Sequence, residues 1–226
     1  PGAAIGDYLV EHPAVRMVTF TGSAEVGLRI RARAGLKRVT LELGNNSSLI
    51  VEADADLAEC VARAVPGAYA HSGQVCISVQ RIFVHARVAG EFTERFAAAA
   101  GALRIGHPLD PATEVSSLIT EAEACRVESW VRGAVEQGAV AVLSGTRAGA
   151  TLPPVLLTGV SRESPLQRKE AFGPVACVEE YTSLEAAIGR VNESEYGLQA
   201  GIFTRDLEKA FRAAQAVEVG GFLIND

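Results

Sequence analysis

Short, nearly continuous apolar runs alternate along this chain with longer stretches in which apolar positions return every three or four residues. Runs of the first kind read as strands: VRMVTF (15–20), RVTLEL (38–43), SLIV (48–51), RIFVH (81–85), AVAVLS (139–144), VLLT (155–158), VACVEEY (175–181), LQAGIFT (198–204) and GGFLIN (220–225). The second kind predicts helices over 24–35, 56–65, 90–103, 121–138, 183–194 and 206–217. In the last of these, Leu207, Ala210, Phe211 and Ala214 share one face. Strand and helix in turn point to an α/β fold built on a mainly parallel sheet flanked by helices. The boundaries carry their own signals. Ser23 stands as a helix N-cap, Asp56 with Glu59 three positions on has the form of a capping box, and Gly35 and Gly138 are placed as helix stops. Pro66 falls in the helical approach to Cys76, where it removes a backbone hydrogen bond and is expected to bend the helix. Pro1 opens in what reads as a loop and Asp226 follows directly on an apolar strand, so the chain is expected to be a fragment.

Composition narrows the partners. The 226 residues are 48% hydrophobic and 21% charged, enough for one large domain or one domain plus part of another. Twenty-one basic against 27 acidic residues give a net charge of −6 with no lysine or arginine block, which argues against a nucleic-acid or membrane face and for a small-molecule partner. The four cysteines, Cys60, Cys76, Cys125 and Cys177, lack the paired spacing of a zinc site, and a domain of this size needs no disulfide framework. A reducing compartment, the cytoplasm, is expected; no metal is. The N-terminal stretch lacks a basic segment leading into an apolar one, and no apolar run approaches a membrane span. The Asn-x-Ser triplets at Asn45, Asn46 and Asn192 are read as incidental.

Four stretches carry candidate chemistry. Cys76 sits in "SGQVC", a polar turn between a helix and a strand, where Gly73 lets the backbone approach a ligand and amide groups can face it. A free cysteine is more often a small buried hydrophobe, the expectation for Cys60 and Cys177. Glu42 interrupts an apolar strand ahead of Gly44. It is either a buried carboxylate with a raised pKa, able to act as a base, or an outward-facing residue on an alternating strand with Thr40. "FTGSAEVG" (20–27) places Gly22 and Ser23 at a strand-turn-helix junction whose free N–H groups suit an anion. "RKEAFGPV" sets Glu170 and Phe172 before a Gly-Pro turn, a carboxylate for a pair of ribose hydroxyls beside an aromatic face, or simply a surface loop. His71, five residues before Cys76, could serve a cysteine hydrolase as base, and Arg81 could meet an anionic substrate or cap a neighbouring element.

In this order and spacing the stretches resemble the aldehyde dehydrogenase superfamily. The resemblance rests on FTGSAEVG, LELGNN (41–46), GQVC (73–76) and EAFGPV (170–175), with support from GHPLDPATEV, YGLQAGIFTRD and GGFLIND, and Glu42 and Cys76 stand 34 positions apart as the family's pair does. It implies an aldehyde-dehydrogenase-like α/β fold with a partial cofactor-binding domain at the N-terminus: residues 1–44 as the C-terminal remnant of a dinucleotide-binding domain, and 45–226 as the catalytic domain without its C-terminal oligomerisation segment. It implies oxidation of a small aldehyde to a carboxylic acid with NAD or NADP, Cys76 as nucleophile through a thioester and Glu42 as the base that activates water. Retention of Glu42 favours hydrolysis over acyl transfer to coenzyme A. The cofactor contacts implied are Gly22, Ser23, Gly27, Leu43, Glu170 and Phe172, and the full-length protein is expected to be a homo-oligomer. The alternative is a non-catalytic fragment or pseudoenzyme that keeps the fold.

Departures from the family pattern are few within the matched stretches. Asn45 stands where many members have glycine and is suited to a positive φ if one is needed; Ser116 and Ser117 replace a Gly-Pro pair, and Lys169 replaces an acidic residue beside Glu170. Beyond the ends, the family's adenosine-ribose lysine, its oxyanion-hole asparagine and the position that selects NAD or NADP have no counterpart in this chain.

Overall fold

The structure, a computed structural model, describes residues 2–226. The chain divides into two compact units, Pro1–Gly44 and Asn45–Asp226.

The first unit runs α1 (Gly2–Glu11), β1 (Met17–Thr21), α2 (Ala24–Arg33) and β2 (Arg38–Glu42). β1 and β2 pair in parallel, Met17 opposite Arg38 and Thr21 opposite Glu42, with α2 as the crossover helix that a parallel pair requires. Ser23 caps α2, its hydroxyl accepting the Val26 N–H, and Gly35 follows the last turn in the left-handed region at φ 58°. Arg33 of α2 pairs with Glu11 of α1 at 2.8 Å. Helix α1 is absent from the sequence expectation. Its apolar residues fall in two consecutive runs, 3–5 and 8–10, rather than at helical spacing, and Pro1, Gly2, Gly6 and Pro13 read as loop signals.

The second unit continues β3 (Ser47–Val51), α3 (Leu57–Tyr69), a 3₁₀ turn (Ala70–Gly73), β4 (Val79–His85), α4 (Ala89–Gly101), α5 (Glu121–Glu136), β5 (Val140–Leu143), β6 (Val155–Thr158), the short α6 (Pro165–Arg168), β7 (Val175–Tyr181), α7 (Leu184–Asn192), β8 (Gln199–Phe203), α8 (Leu207–Ala216) and β9 (Gly221–Ile224). Its strands form one sheet in the order β5-β6-β7-β4-β3-β8-β9, parallel throughout except for the antiparallel edge pair β5/β6.

The central strands are buried on both faces, which is why SLIV and RIFVH read as unbroken apolar runs. Successive residues feed opposite cores. Leu49, Val51, Ile82 and Val84 join Tyr69, Phe92 and Phe96 under α3 and α4, whereas Ile50 and Phe83 join Ile188, Ile202 and Ala213 under α7 and α8. A third cluster, with Val127, Leu157, Leu166 and Cys177, lies under α5. Burial of one such leucine or phenylalanine side chain is worth about 1.5–3 kcal/mol, so the two-sided sheet holds the unit together.

Two boundary expectations are corrected. Asp56 caps α3 through the Ala58 and Glu59 N–H groups, but Glu59 does not reach back to complete a capping box; its carboxylate pairs with Arg63 one turn on, at 2.9 Å. Helix α3 runs on past Pro66 to Tyr69, and the Ala70 N–H closes its last turn on the Pro66 carbonyl.

Candidate functional site

The strands β7, β4 and β3 are parallel and adjacent, so the segments that lead into them emerge side by side at one end of the sheet. Those segments are 170–174, 70–78 and 45–46. This is the amino end of the strands, opposite to the carboxyl end at which open α/β sheets usually bind ligands.

The cysteine segment is held in an unusual backbone. His71, Ser72 and Gly73 follow one another in the left-handed region, at φ 51°, 58° and 72°, a conformation that costs a non-glycine residue about 1 kcal/mol or more and persists only when its surroundings enforce it. The enforcement is visible. The Ser72 hydroxyl donates to the Ser116 carbonyl at 3.0 Å and accepts the Ser116 N–H at 2.9 Å, while Gln74 Oε1 accepts the Ile119 N–H at 2.8 Å. Ser116 and Ser117 thus act as anchors for this turn. Beyond it, Ser78 Oγ donates to the Ala68 carbonyl at 2.9 Å, tying the far side of the turn to the end of α3. Cys76 lies between these ties, half-buried, and among the described residues its N–H has no hydrogen-bond partner in the protein.

Glycine matters at one contact above all. A Cβ on Gly73 would lie 2.1 Å from the Gly173 carbonyl oxygen, so the cysteine turn and the EAFGPV segment meet backbone to backbone. That contact sets the turn that leads to Cys76 beside the segment that carries Glu170 and Phe172. Phe172 is itself left-handed, at φ 48°, and 41% exposed. Glu170 is half-buried; burial raises its carboxyl pKa above the ordinary value, opposed by the Asn45 N–H, which donates to Oε1 at 2.9 Å, and by the charge of Arg126.

The segment bearing Glu170 is fixed by two buried amides that the sequence reading missed. Gln80 Nε2 donates to the Leu166 and Lys169 carbonyls at 2.7 and 2.9 Å, and its Oε1 accepts the Ala171 N–H at 2.7 Å. Asn46 Nδ2 donates to the Gln167 and Lys169 carbonyls at 3.2 and 3.1 Å. The available signal was uneven: Gln80 interrupts the apolar positions of its strand, whereas Asn46 sits in the polar run 44–48, where nothing sets it apart. Asn45 needs no positive φ; instead its side chain donates to Ser47 Oγ at 2.6 Å and to the Gln199 carbonyl at 3.3 Å.

In the first unit, Gly22 follows β1 and its N–H donates to the Glu42 carbonyl at 3.0 Å. Gly27 is buried where a Cβ would lie 2.6 Å from Leu43 Cδ2, so the start of α2 rests on the end of β2. Gly22, Ser23, Gly27 and Leu43 therefore belong to one strand-helix-strand junction. The Glu42 side chain is exposed, as is that of Thr40, while Val39 and Leu41 are partly covered. The alternation expected for β2 is observed, and Glu42 stands on its exposed face rather than buried, with its carboxylate open to water.

Two other candidates change standing. Arg81 is buried and caps α7, donating from Nη1 to the Arg190 carbonyl at 3.1 Å and from Nη2 to the Val191 carbonyl at 3.2 Å. Its guanidinium is engaged in that cap. Cys125, expected in a helical setting, is on α5 but exposed. Among the described residues, no group of three or more His, Cys, Asp or Glu side chains could hold a metal ion, and no helix is long and apolar enough to cross a membrane.

Comparison with known proteins agrees over the whole chain. The model of the aldehyde dehydrogenase family matches residues 1–226. The 3-sulfolactaldehyde dehydrogenase of Priestia megaterium is 46% identical over 225 residues, covering 100% of this chain and 47% of that protein. Among solved structures, the NADP-dependent glyceraldehyde-3-phosphate dehydrogenase from Bacillus halodurans C-125, complexed with NADP, superposes with a TM-score of 0.96 at 37% identity, over 100% of this chain and 47% of that one. Aldehyde dehydrogenase 21 from Physcomitrella patens, in complex with the reaction product succinate, gives 0.95 at 38% identity, over 98% of this chain and 46% of that one. The chain spans about half the length of the curated relatives it matches.

Proposed function

The chain belongs to the aldehyde dehydrogenase family, and from that premise we propose that the protein oxidises a short polar aldehyde to its carboxylic acid with NAD or NADP, using Cys76 as nucleophile and Glu42 as general base. The observation that carries this reading is the backbone contact of Gly73 with Gly173, which sets the cysteine turn against the segment of Glu170 and Phe172. The Cys76 thiolate adds to the aldehyde carbon, and the oxygen that gains charge is met by the Cys76 N–H, which is free to donate. NAD(P)+, when bound, supplies the acceptor for the hydride that leaves the substrate carbon as the thioester forms. Glu42 then takes a proton from water, whose oxygen attacks the thioester carbon and releases the acid and the thiol.

The residues present fit such a cofactor. The capped N-terminus of α2 at Gly22 and Ser23 offers N–H groups to a pyrophosphate, with Gly27 against Leu43 keeping that junction close. Glu170 spends only Oε1 on Asn45, so Oε2 can accept a ribose hydroxyl beside the exposed ring of Phe172. A short polar substrate is supported by what relatives are named for, 3-sulfolactaldehyde, aspartate semialdehyde and lactaldehyde. The full-length protein is proposed to be a homo-oligomer, as the family resemblance implies, and to reside in the cytoplasm, the reducing compartment that fits its sparse cysteines.

Acid quenching of the full-length protein during turnover of a short aldehyde, followed by peptide mass spectrometry, tests the proposal. An acyl adduct on the Cys76 peptide, accumulating further in Glu42→Gln, is expected. No adduct, or one on another cysteine, would overturn it.

A further inference from the structure

Phe172 stands left-handed at φ 48°, a backbone that is costly for a bulky side chain and lasts only where its surroundings enforce it. That angle describes how the Ala171–Phe172 peptide is turned about the Phe172 N–Cα bond, so whatever holds the Ala171 carbonyl also constrains where the aromatic ring points. Among the described residues, that carbonyl has one partner, Arg126 of α5, whose Nη2 donates to it at 2.8 Å. The other side of Ala171 is held through its N–H by Gln80 Oε1 at 2.7 Å. Arg126 lies outside every stretch that the sequence singles out for chemistry.

Helix α5 meets this segment at two consecutive residues. Beyond Phe172, a Cβ on Gly173 would lie 3.0 Å from Cγ2 of the buried Val127. Phe172 is thus bracketed by α5, through Arg126 on one side and Val127 on the other. The arginine head is itself held from both directions along its helix: Nε donates to Glu123 Oε2 at 2.7 Å one turn before, and Cζ lies 4.6 Å from the centre of the Trp130 ring one turn after. A guanidinium so fixed loses little freedom in making its third contact. Burial raises the Glu170 carboxyl pKa, and the charge of Arg126 opposes that rise alongside the Asn45 N–H.

We infer that Arg126 is a positioning residue for the cofactor: from α5 it holds the Ala171–Phe172 peptide, and so keeps Glu170 and Phe172 presented together to the nicotinamide riboside. This role rests on the proposal that Glu170 and Phe172 hold the cofactor. The arginine acts through the peptide it holds and takes no part in making or breaking bonds. Arg126→Met keeps an apolar stem beside Trp130 but leaves the buried Ala171 carbonyl without a partner. Arg126→Lys keeps the charge and a donor, though not the planar fork.

Calorimetric titration of the full-length protein with NAD and with NADP, beside steady-state kinetics on a short aldehyde, tests the inference. Arg126→Met should weaken binding of the preferred cofactor by about tenfold, the lower end of what a charge-assisted hydrogen bond is worth. The KM for that cofactor should rise in step, with kcat changed less. Arg126→Lys should recover most of the affinity, and thermal unfolding of each variant confirms that it folds. In a background of Glu170→Gln with Phe172→Ala the same Arg126→Met change should cost less than about twofold, because the groups it acts through are gone. Intact affinity in Arg126→Met where Glu170→Gln is impaired, a fall in kcat with the cofactor KM unchanged, or the full loss persisting in the doubly substituted background would overturn this role alone. If Glu170→Gln and Phe172→Ala each bind cofactor as tightly as the parent, the proposal that this pair holds the cofactor falls, and the role of Arg126 with it.

Discussion

Cys60 and Cys177 are both buried in apolar clusters, and desolvation pushes each thiol up to about 12, so neither supplies thiolate near neutrality. Cys76 and Cys125 are different, since both reach solvent, and Cys125 is the more exposed of the two. Access alone would therefore favour Cys125. If Cys76 sits in a turn built to hold a nucleophile, iodoacetamide should modify it first, Cys125 more slowly, and Cys60 and Cys177 only after unfolding. Peptide mapping over a time course reads the order. Faster labelling of Cys125 would mean that the left-handed turn at 71–73 does nothing for reactivity, and any early labelling of Cys177 would contradict its burial.

The strands and most helices were legible because a strand buried on both faces leaves an apolar run, and an amphipathic helix leaves its period. Their order across the sheet was not, because pairing such as β3 beside β8 joins residues some 150 positions apart and nothing local records it. The site was legible in the same uneven way. Cys76, Glu170 and Phe172 stand in recognisable motifs, but Gln80 marks the place where RIFVH was taken to begin, since a polar residue reads as a boundary; β4 in fact starts at Val79 and takes Gln80 inside. Gln80 supplies, among the described residues, the only partner of the Leu166 carbonyl and of the Ala171 N–H. Gln80→Met keeps the volume and removes all three of its bonds, leaving the Leu166 carbonyl and the Ala171 N–H unpartnered while Asn46 still holds the Lys169 carbonyl. It should lower stability by about 2–4 kcal/mol, two buried groups at about 1–2 kcal/mol each, and hydrogen exchange at Ala171 should accelerate. A urea titration with amide exchange measures both. An unchanged Ala171 amide would show that the Glu170 segment is held by something other than these side chains.

The three apolar clusters that stabilise the chain are drawn from residues of the second unit, spanning Leu49 to Phe222. In the first unit, Val10 and Ala34 are the only apolar side chains buried among the described residues, while Leu9, Leu28 and Leu36 are exposed. A lone two-stranded sheet is marginal in water, and a chain of about forty residues without a disulfide or metal rarely buries enough surface to offset its ordering entropy. The seven-stranded sheet of the second unit, covered on both faces, has no such deficit. Residues 45–226 expressed alone should thus fold and melt cooperatively, whereas a peptide of residues 1–44 should show at most partial helix and a broad, non-cooperative melt. Far- and near-ultraviolet circular dichroism with thermal melts of the two pieces decides it. A sharp transition in the 1–44 peptide would mean that the β1–α2–β2 junction is stable by its own contacts, and loss of the near-ultraviolet signal in 45–226 would mean that its three clusters do not suffice for fixed packing.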